Sequence, residues 1–491
     1  MSAIWRPDAP LADRPWLTPL MRDALTDPAD RALDAPVGGA GRAPAWASAW
    51  FDPWADDQLA RAAAAGDEEA AAASLQALRR GADVIVTGQQ PGFLGGPLYT
   101  LLKTATCIAA ARRRSAAGRP TVPLFWSGGD DDDLDEALDG VVWDPRRRAF
   151  LKPLAPESAR GRRIGALPGI LLGAAEAAWL AEQGEAGAAW AAWWRRTMAS
   201  GTDWGRLHAD ALRSLYRGHG LLTVSGDDPA LMAAAAPFTA RLIDRADELA
   251  AAARTRGAEL EARGHHAQIG EPSLAKPFQR TDGDRRLRLD SAAAAAAVPP
   301  AELRLGVLFR SPVQDWLFRP AAVVVGPGER AYLEQLKPVY QALDLPRAPL
   351  VPRAFATFGG EQDGEAELPD AAPAAAEVIA SAAAALAAAL RAAGAAAPDA
   401  EARQTSDRWR GAVETALRRA HRHAAAPADA APWRRPGGRQ ERRLPSFWYA
   451  ALDPEGAGSL IDLAADHLDR WLAGDAREYR LRAPRPLEET P

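Results

Sequence analysis

One cysteine, Cys107, is all that the 491 residues contain, so no disulfide can close within the chain and a reducing compartment is the simplest fit. Neither sign of charge dominates. Lys and Arg number 59 against 64 Asp and Glu, a net charge of −5, and the basic residues are scattered. That argues against nucleic-acid binding, which normally leaves a basic face or stripe. No run of about 18 strongly apolar residues occurs, as a membrane-spanning helix needs. The alanine tracts are only weakly hydrophobic, and Arg391 interrupts the longest. The start, MSAIWRPDAPLADRPW, lacks an apolar stretch behind positive charge, so no signal peptide is expected. Neither common phosphate signature is present, G-x-x-x-x-G-K-[ST] or G-x-G-x-x-G. His265 and His266 have no metal-ligand partners at sensible spacing, and one cysteine cannot complete a zinc set. These absences leave a soluble cytoplasmic protein as the expectation. Its length is worth roughly three domains, enough for a large core.

What is present changes grammar along the chain. Residues 1–80 read as an N-terminal helical region rich in tryptophan (Trp5, Trp16, Trp46, Trp50, Trp54), whose rings cover a core. Residues 81–360 alternate strand and helix, with strands expected at 83–86, 122–126, 221–224, 321–325 and 349–351. Continuous apolar strands between helices imply an α/β fold, a Rossmann-like parallel sheet covered on both faces. Ligands bind such sheets outside the carboxyl ends of the strands. Gaps too long for simple crossovers place insertions at about 140–205, holding Trp190, Trp193 and Trp194, and at about 240–315, holding a helical stretch to Glu261 and then His265-His266. Residues 361–440 read as an alanine-rich helical hairpin and linker. Ile379, Leu386 and Leu390, then Trp409, Val413 and Leu417, form a narrow seam about a turn at 394–399. The seam suits a coiled coil that pairs two copies, or packing against its own domain. A linker at 424–438 leads to a C-terminal helical segment, 441–491, with its helix near 459–473.

Four corners follow the strands. The first, from Thr87 to Thr100, carries Gly88, Gln89, Gln90, Gly92, Gly96 and Tyr99, and opens a helix bearing Lys103. Glycines there let backbone approach a ligand and aim helix N–H groups at an anion, although a plain tight turn explains such a loop equally well. The second corner follows Trp126 and runs through Asp130, Asp131, Asp132 and Asp133 to Glu136. Adjacent carboxylates repel one another. Asp133 as a helix N-cap is one account, with first-turn acids contributing about 0.3–1 kcal/mol each. A Mg²⁺ site on Asp131 and Asp133, or a socket for a substrate ammonium, is the other. The third corner, Ser225 to Pro229, reads as a turn into a helix with proline at its first position. The fourth gathers Arg310, Gln314-Asp315, Gly326-Pro327-Gly328-Glu329, Tyr332, Gln335, Lys337 and Arg353. Three-residue steps put Glu329, Tyr332 and Gln335 on one side of a helix whose start faces the crevice. His266 is a candidate for a supporting role. His208, His219, His421, His423 and His467 read as surface or core residues, and Cys107 as a small buried hydrophobe.

The wording of these corners resembles a known family. TGQQPGFLGGPLYTLLK is similar to T-G-Q-Q-x-G-L-x-x-G-P-L-Y-T-x-x-K of BshC, the cysteine-adding enzymes of bacillithiol biosynthesis. Phe125, Trp126, Asp131, Asp133 and Glu136 match the family's F-W-x-x-x-E-D-H-D-x-x-E. The fourth corner resembles its V-Q-D, G-P-G-E-x-x-Y-x-x-Q-L-K and P-R segments. The resemblance is specific from Gly81 to Arg353, looser from Glu441 onward and faint over the first 80 residues. It implies a ligase that joins L-cysteine to glucosaminyl-malate in the last step of bacillithiol synthesis, working as a homodimer through the coiled coil. Amide formation in water needs an activated carboxylate, so ATP and Mg²⁺ are expected.

On this reading the first corner and Lys103, with Gly326, Gly328 and Glu329, hold the cofactor. Asp131 and Asp133 hold the metal or an ammonium, and Asp131, Asp133, Glu136 or His266 does the acid–base work. Trp126, Asp130, Arg310, Gln314, Tyr332, Gln335, Lys337 and Arg353 bind substrate, the cations taking malate carboxylates. Two departures stand out: Asp132 and Asp139 occupy positions where the family carries histidine. They keep two rivals open, a different ATP-dependent ligase or nucleotidyl-transferring enzyme, and a non-catalytic nucleotide-binding dimer.

Overall fold

A computed structural model describes residues 5–14, 17–27, 31, 33, 44, 48–138, 142–144, 149–151, 159–168, 188, 191–192, 203–358 and 456–481. The chain separates into two compact units, Met1–Phe358 with Pro436–Pro491, and Gly359–Arg435. The expected coiled-coil hairpin, its linker, Asp139, His421 and His423 lie outside the described residues.

Five parallel strands form the core: β1 (Asp83–Gln89), β2 (Thr121–Ser127), β3 (Leu222–Ser225), β4 (Ala322–Val325) and β5 (Leu350–Pro352). Their order is β5-β4-β1-β2-β3. All five stand where the alternation of apolar runs and helical stretches put them. Val84, Ile85 and Val86 are fully buried, as is the whole of β2, because helices cover both faces. Helix α1 (Tyr99–Ala116) links β1 to β2, and it is buried nearly all round between the sheet and α4 (Gly456–Ala473). Cys107, on α1, is fully buried as expected, and burial pushes its thiol up to about 12.

From β1 the chain steps outward to β2 and β3, then returns to the opposite side of β1 for β4 and β5. The direction of winding therefore reverses between β1 and β4, where parallel sheets open a crevice at their carboxyl ends. Helices α2 (Val307–Phe318), before β4, and α3 (Pro327–Gln335), after it, flank that crevice.

Of the tryptophans of the first region, Trp50 and Trp54 do cover core, while Trp16 and Trp46 lie outside the described residues. Trp50 and Trp54 stack at 4.9 Å, and their indole N–H groups donate to Asp228 Oδ2 at 2.7 Å and the Thr223 carbonyl at 3.1 Å. The two ends are helical as expected over Pro19–Thr26, Phe51–Ala65, Glu68–Arg79 and Gly456–Ala473, but each also supplies a strand that the helical reading missed. Strand Trp5–Pro10 pairs antiparallel with Arg477–Leu481, which runs parallel to Ala356–Phe358. Proline-containing WRPDAP shows no alternation, and only an edge position tolerates it as a strand. The second insertion likewise holds an antiparallel sheet, Phe278–Asp282, Arg285–Arg288 and Leu303–Leu305, besides its helices. Its hairpin turns at Gly283-Asp284 with Gly283 at φ +60°.

Candidate active site

At the reversal point lies a cavity of about 190 Å³. The β1 corner supplies Gln89 and Gln90, and the β2 corner supplies Trp126, Asp131 and Glu136. Helix α2 supplies Arg310, Gln314 and Asp315, and α3 supplies Glu329 and Tyr332. Corners far apart in the chain thus share one hollow. Its lining carries four carboxylates against one guanidinium, so it favours a bound ammonium over a phosphate.

In the acidic corner, repulsion is relieved by arginines. Arg310 donates to Asp130 Oδ2 at 3.1 Å and lies 3.7 Å from Asp131 Oδ2. Arg286, from the hairpin of the second insertion, reaches the Asp130 carbonyl at 3.0 Å, Asp131 Oδ1 at 3.3 Å and Asp132 Oδ1 at 3.4 Å. Burial works to raise the Asp131 pKa, but Arg310 and Arg286 outweigh it and hold the carboxyl below its usual range. Sequence reasoning missed Arg286, since nothing in R-R-L-R says which arginine a hairpin will turn inward. Asp133 is exposed and caps the helix Leu134–Ala137, accepting from the Glu136 N–H at 3.0 Å. Among the described residues, no three His, Cys, Asp or Glu side chains group as metal ligands. With Asp131 on two arginines and Asp133 on a backbone amide, the pair does not fit a Mg²⁺ site.

The glycines of the first corner answer to packing. A Cβ on Gly88 would sit 2.7 Å from the Trp126 carbonyl oxygen, and one on Gly92 would sit 2.5 Å from Gly96 Cα, with Gly96 itself at φ +76°. Buried His208 bonds the Gly95 carbonyl through Nε2 at 3.0 Å, and burial lowers its pKa to about 4. Thr87 Oγ1 donates to the Val324 carbonyl, tying β1 to β4, and Gln89 Nε2 donates to the Tyr99 hydroxyl at 3.4 Å. Lys103 is 1% exposed. It donates to the Gly88 carbonyl and pairs with Glu329 Oε2 at 2.7 Å, the same oxygen that accepts the Gly326 N–H at the start of α3. Burial lowers the Lys103 pKa, and Glu329 only partly restores it. Lys103 is therefore a buried cross-link behind the cavity wall rather than an arm reaching for phosphate. Gly326 and Gly328 stand at the start of α3, and a Cβ on Gly328 would meet nothing within 4 Å.

Besides Thr87, Gly92, Gly96, Tyr99, Lys103, Asp130, Asp133, Gly326 and Gly328, none of which lines the cavity, four more expected residues lie away from its wall. Gln335 is buried against the helix Ala246–Ala262, bonding Ile269 N–H at 2.8 Å and the Ile269 carbonyl at 3.0 Å, so α3 turns Glu329, Tyr332 and Leu333 inward but not Gln335. Lys337 is exposed and lines a separate surface hollow. Arg353 is buried with its guanidinium over the rings of Phe355 and Tyr99. His266 is exposed and takes no part in the cavity. In their place stands Asp315, quoted in V-Q-D but not singled out for chemistry. It is buried against the cavity, and desolvation pushes its carboxyl up to about 6, the Tyr340 hydroxyl at 3.0 Å only partly offsetting this. The third corner behaves as expected, with Asp228 capping a helix whose first residue is Pro229.

Residues 57–295 and 275–354 match the sequence profile described as "Bacillithiol biosynthesis BshC, N-terminal Rossmann-like domain". Curated relatives named "Putative cysteine ligase BshC" are also similar to this chain. The chain is 31% identical to that of Shouchella clausii over 302 residues, 56% of this chain and 55% of the relative. It is 29% identical to that of Koribacter versatilis over 377 residues, 71% and 70% of the two chains, and 30% identical to that of Geobacillus kaustophilus over 305 residues, 56% and 55%. The chain thus spans a little over half the length of the first of these relatives.

Proposed function

The chain belongs to the BshC family, and from that membership we propose that it is a ligase adding L-cysteine to glucosaminyl-malate through an amide bond, the last step of bacillithiol synthesis. The observation that carries this reading is the acid-rich cavity shared by the corners after β1, β2 and β4. A sugar amine is a cation near neutral pH, and a pocket walled by Asp131, Glu136, Asp315 and Glu329 favours it over an anion. Arg310 and the amides of Gln89, Gln90 and Gln314 supply donors for the hydroxyl and carboxylate oxygens of the same molecule. Trp126 and Tyr332 offer ring surface to a sugar. Holding the amine in one orientation converts a bimolecular encounter into a positioned one, a large part of the rate in such reactions.

Amide formation requires an activated cysteine carboxyl, and ATP with Mg²⁺ is the activation we propose. Asp131 and Asp133 do not fit the metal and the acidic lining does not fit phosphates, so no step at this cavity is routed through either. Pairing of two copies through residues 361–440, in the cytoplasm, belongs to the same reading. No helix among the described residues is long and apolar enough to cross a membrane.

The test is direct. Purified protein is incubated with cysteine, glucosaminyl-malate, ATP and Mg²⁺, and the amide product is sought by mass spectrometry. Product supports the ligase reading. Product only with a different amine points to a retuned ligase, and no turnover of any amine removes the reading.

A further inference from the structure

The proposed reaction strips a proton from an ammonium inside the cavity, and on that reading we propose that Asp315 is the base that receives it. The other acids of the wall are less suited. Asp131 is held by Arg310 and Arg286, and Glu329 by Lys103 and the Gly326 N–H. Glu136 is only half-buried, on a single helical turn. Asp315 is 4% exposed and has no Lys or Arg within ion-pair distance among the described residues. Its partners are neutral: the Tyr340 hydroxyl on Oδ2 at 3.0 Å, the Ala348 N–H at 3.5 Å, and the Gln314 amide on Oδ1 at 3.3 Å. These bonds fix the carboxylate in place while Oδ1 keeps acceptor capacity.

A carboxylate surrounded by neutral donors in a low-dielectric wall is more basic than one in water. Burial raises Asp315 to about 6, so it is ionised near neutrality yet basic enough to accept a proton. The charged and titratable groups that act on it are Arg347 and Tyr340, from the segment leading into β5, and Tyr332 on α3. In the step itself an N–H bond of the bound ammonium breaks and its electron pair stays on nitrogen. The proton forms an O–H bond on Asp315, leaving a neutral amine able to attack.

Two variants of the full chain test this, Asp315→Asn and Tyr340→Phe, each assayed for product across pH 5–9. Asp315→Asn is expected to lower kcat by roughly 100-fold or more, with the affinity for glucosaminyl-malate, measured by calorimetry, changed by less than about threefold. Tyr340→Phe removes a hydrogen bond that favours the charged carboxylate, so it raises the Asp315 pKa and moves the acid limb of the kcat profile to higher pH. A purely structural role would reduce the amount of folded protein but leave that limb in place. Wild-type activity with an unchanged limb in both variants overturns the assignment of Asp315 alone. Failure of the wild type to form any amide overturns the ligase reading, and the assignment with it.

Discussion

Lys103 Nζ lies 2.7 Å from Glu329 Oε2, so a lysine on the helix after β1 is joined to a glutamate on the helix after β4. β1 and β4 are neighbours on opposite sides of the winding reversal. The pair therefore staples the two halves of the crevice together directly behind its wall. Glu329 also anchors the start of α3 through the Gly326 N–H, so one carboxylate fixes both the lysine and the helix.

The two ends of that staple are not equivalent. Glu329→Gln leaves a lysine that is 1% exposed with its charge unpaired, and a loss of roughly 3–5 kcal/mol is expected. Lys103→Met removes the cation and leaves a glutamate that is 25% exposed and still caps α3, so the loss should be smaller, about 1–2 kcal/mol. Urea midpoints of both variants decide the matter. A costlier lysine variant would show that packing rather than charge governs the site.

Asp131 keeps its negative charge because two guanidiniums outweigh its burial. Asp131→Asn is expected to abolish product formation while the far-UV circular dichroism stays that of the wild type. Arg286→Gln removes one of the two cations and should lower kcat/KM by roughly 10- to 100-fold, in line with 1.5–3 kcal/mol for a charge-assisted hydrogen bond. His266→Ala and Lys337→Ala serve as controls, since both residues lie off the cavity, and each should stay within about twofold of wild type.

The contrast between Arg286 and Asp131 marks where sequence reasoning succeeds. Corners that follow buried strands were legible, because a run such as Val84-Ile85-Val86 ending in glycines has few other readings in an α/β chain. That placed Gln89, Asp131 and Glu329 on one crevice, and they do share it. Helical phase was legible only to about one step: Glu329 and Tyr332 face inward, but Gln335, three residues on, has turned to Ile269. Long-range approaches were not legible at all. Arg286 arrives from 155 residues beyond Asp131, and no local pattern encodes which hairpin arginine docks. Asp315 was hidden for another reason, since its interest comes from the partners it lacks.

Acid should weaken the fold through two buried histidines. His208 and His467 bond the Gly95 and Pro352 carbonyls and have pKa values lowered by burial from 6.5 to about 4. The unfolded chain therefore takes up protons first, and stability present above pH 6.5 is lost as pH falls toward 4. Each histidine corresponds to roughly 3 kcal/mol. Asp315 acts in the opposite sense. Its carboxyl, raised from 3.8 to about 6, protonates first in the folded state and offsets about one histidine over that window. A net loss of roughly 3 kcal/mol between pH 6.5 and 4 is expected from these three groups, read from urea midpoints. His467→Gln should flatten the decline, and an unchanged slope would remove that histidine from the account.

Gln90 offers a test in which stability and binding move in opposite directions. It is 9% exposed and lines the cavity, and its Nε2 has no hydrogen-bond partner among the described residues. An unmet buried donor costs about 1–3 kcal/mol, which a ligand oxygen can recover. Gln90→Met keeps a similar length without the donor. The variant is expected to unfold at higher urea, with a gain of about 1 kcal/mol, and to bind glucosaminyl-malate roughly tenfold more weakly by calorimetry. A glutamine kept only for packing would show neither effect, since methionine fills the same space. Lower stability with unchanged affinity would place the amide in the scaffold rather than on the ligand.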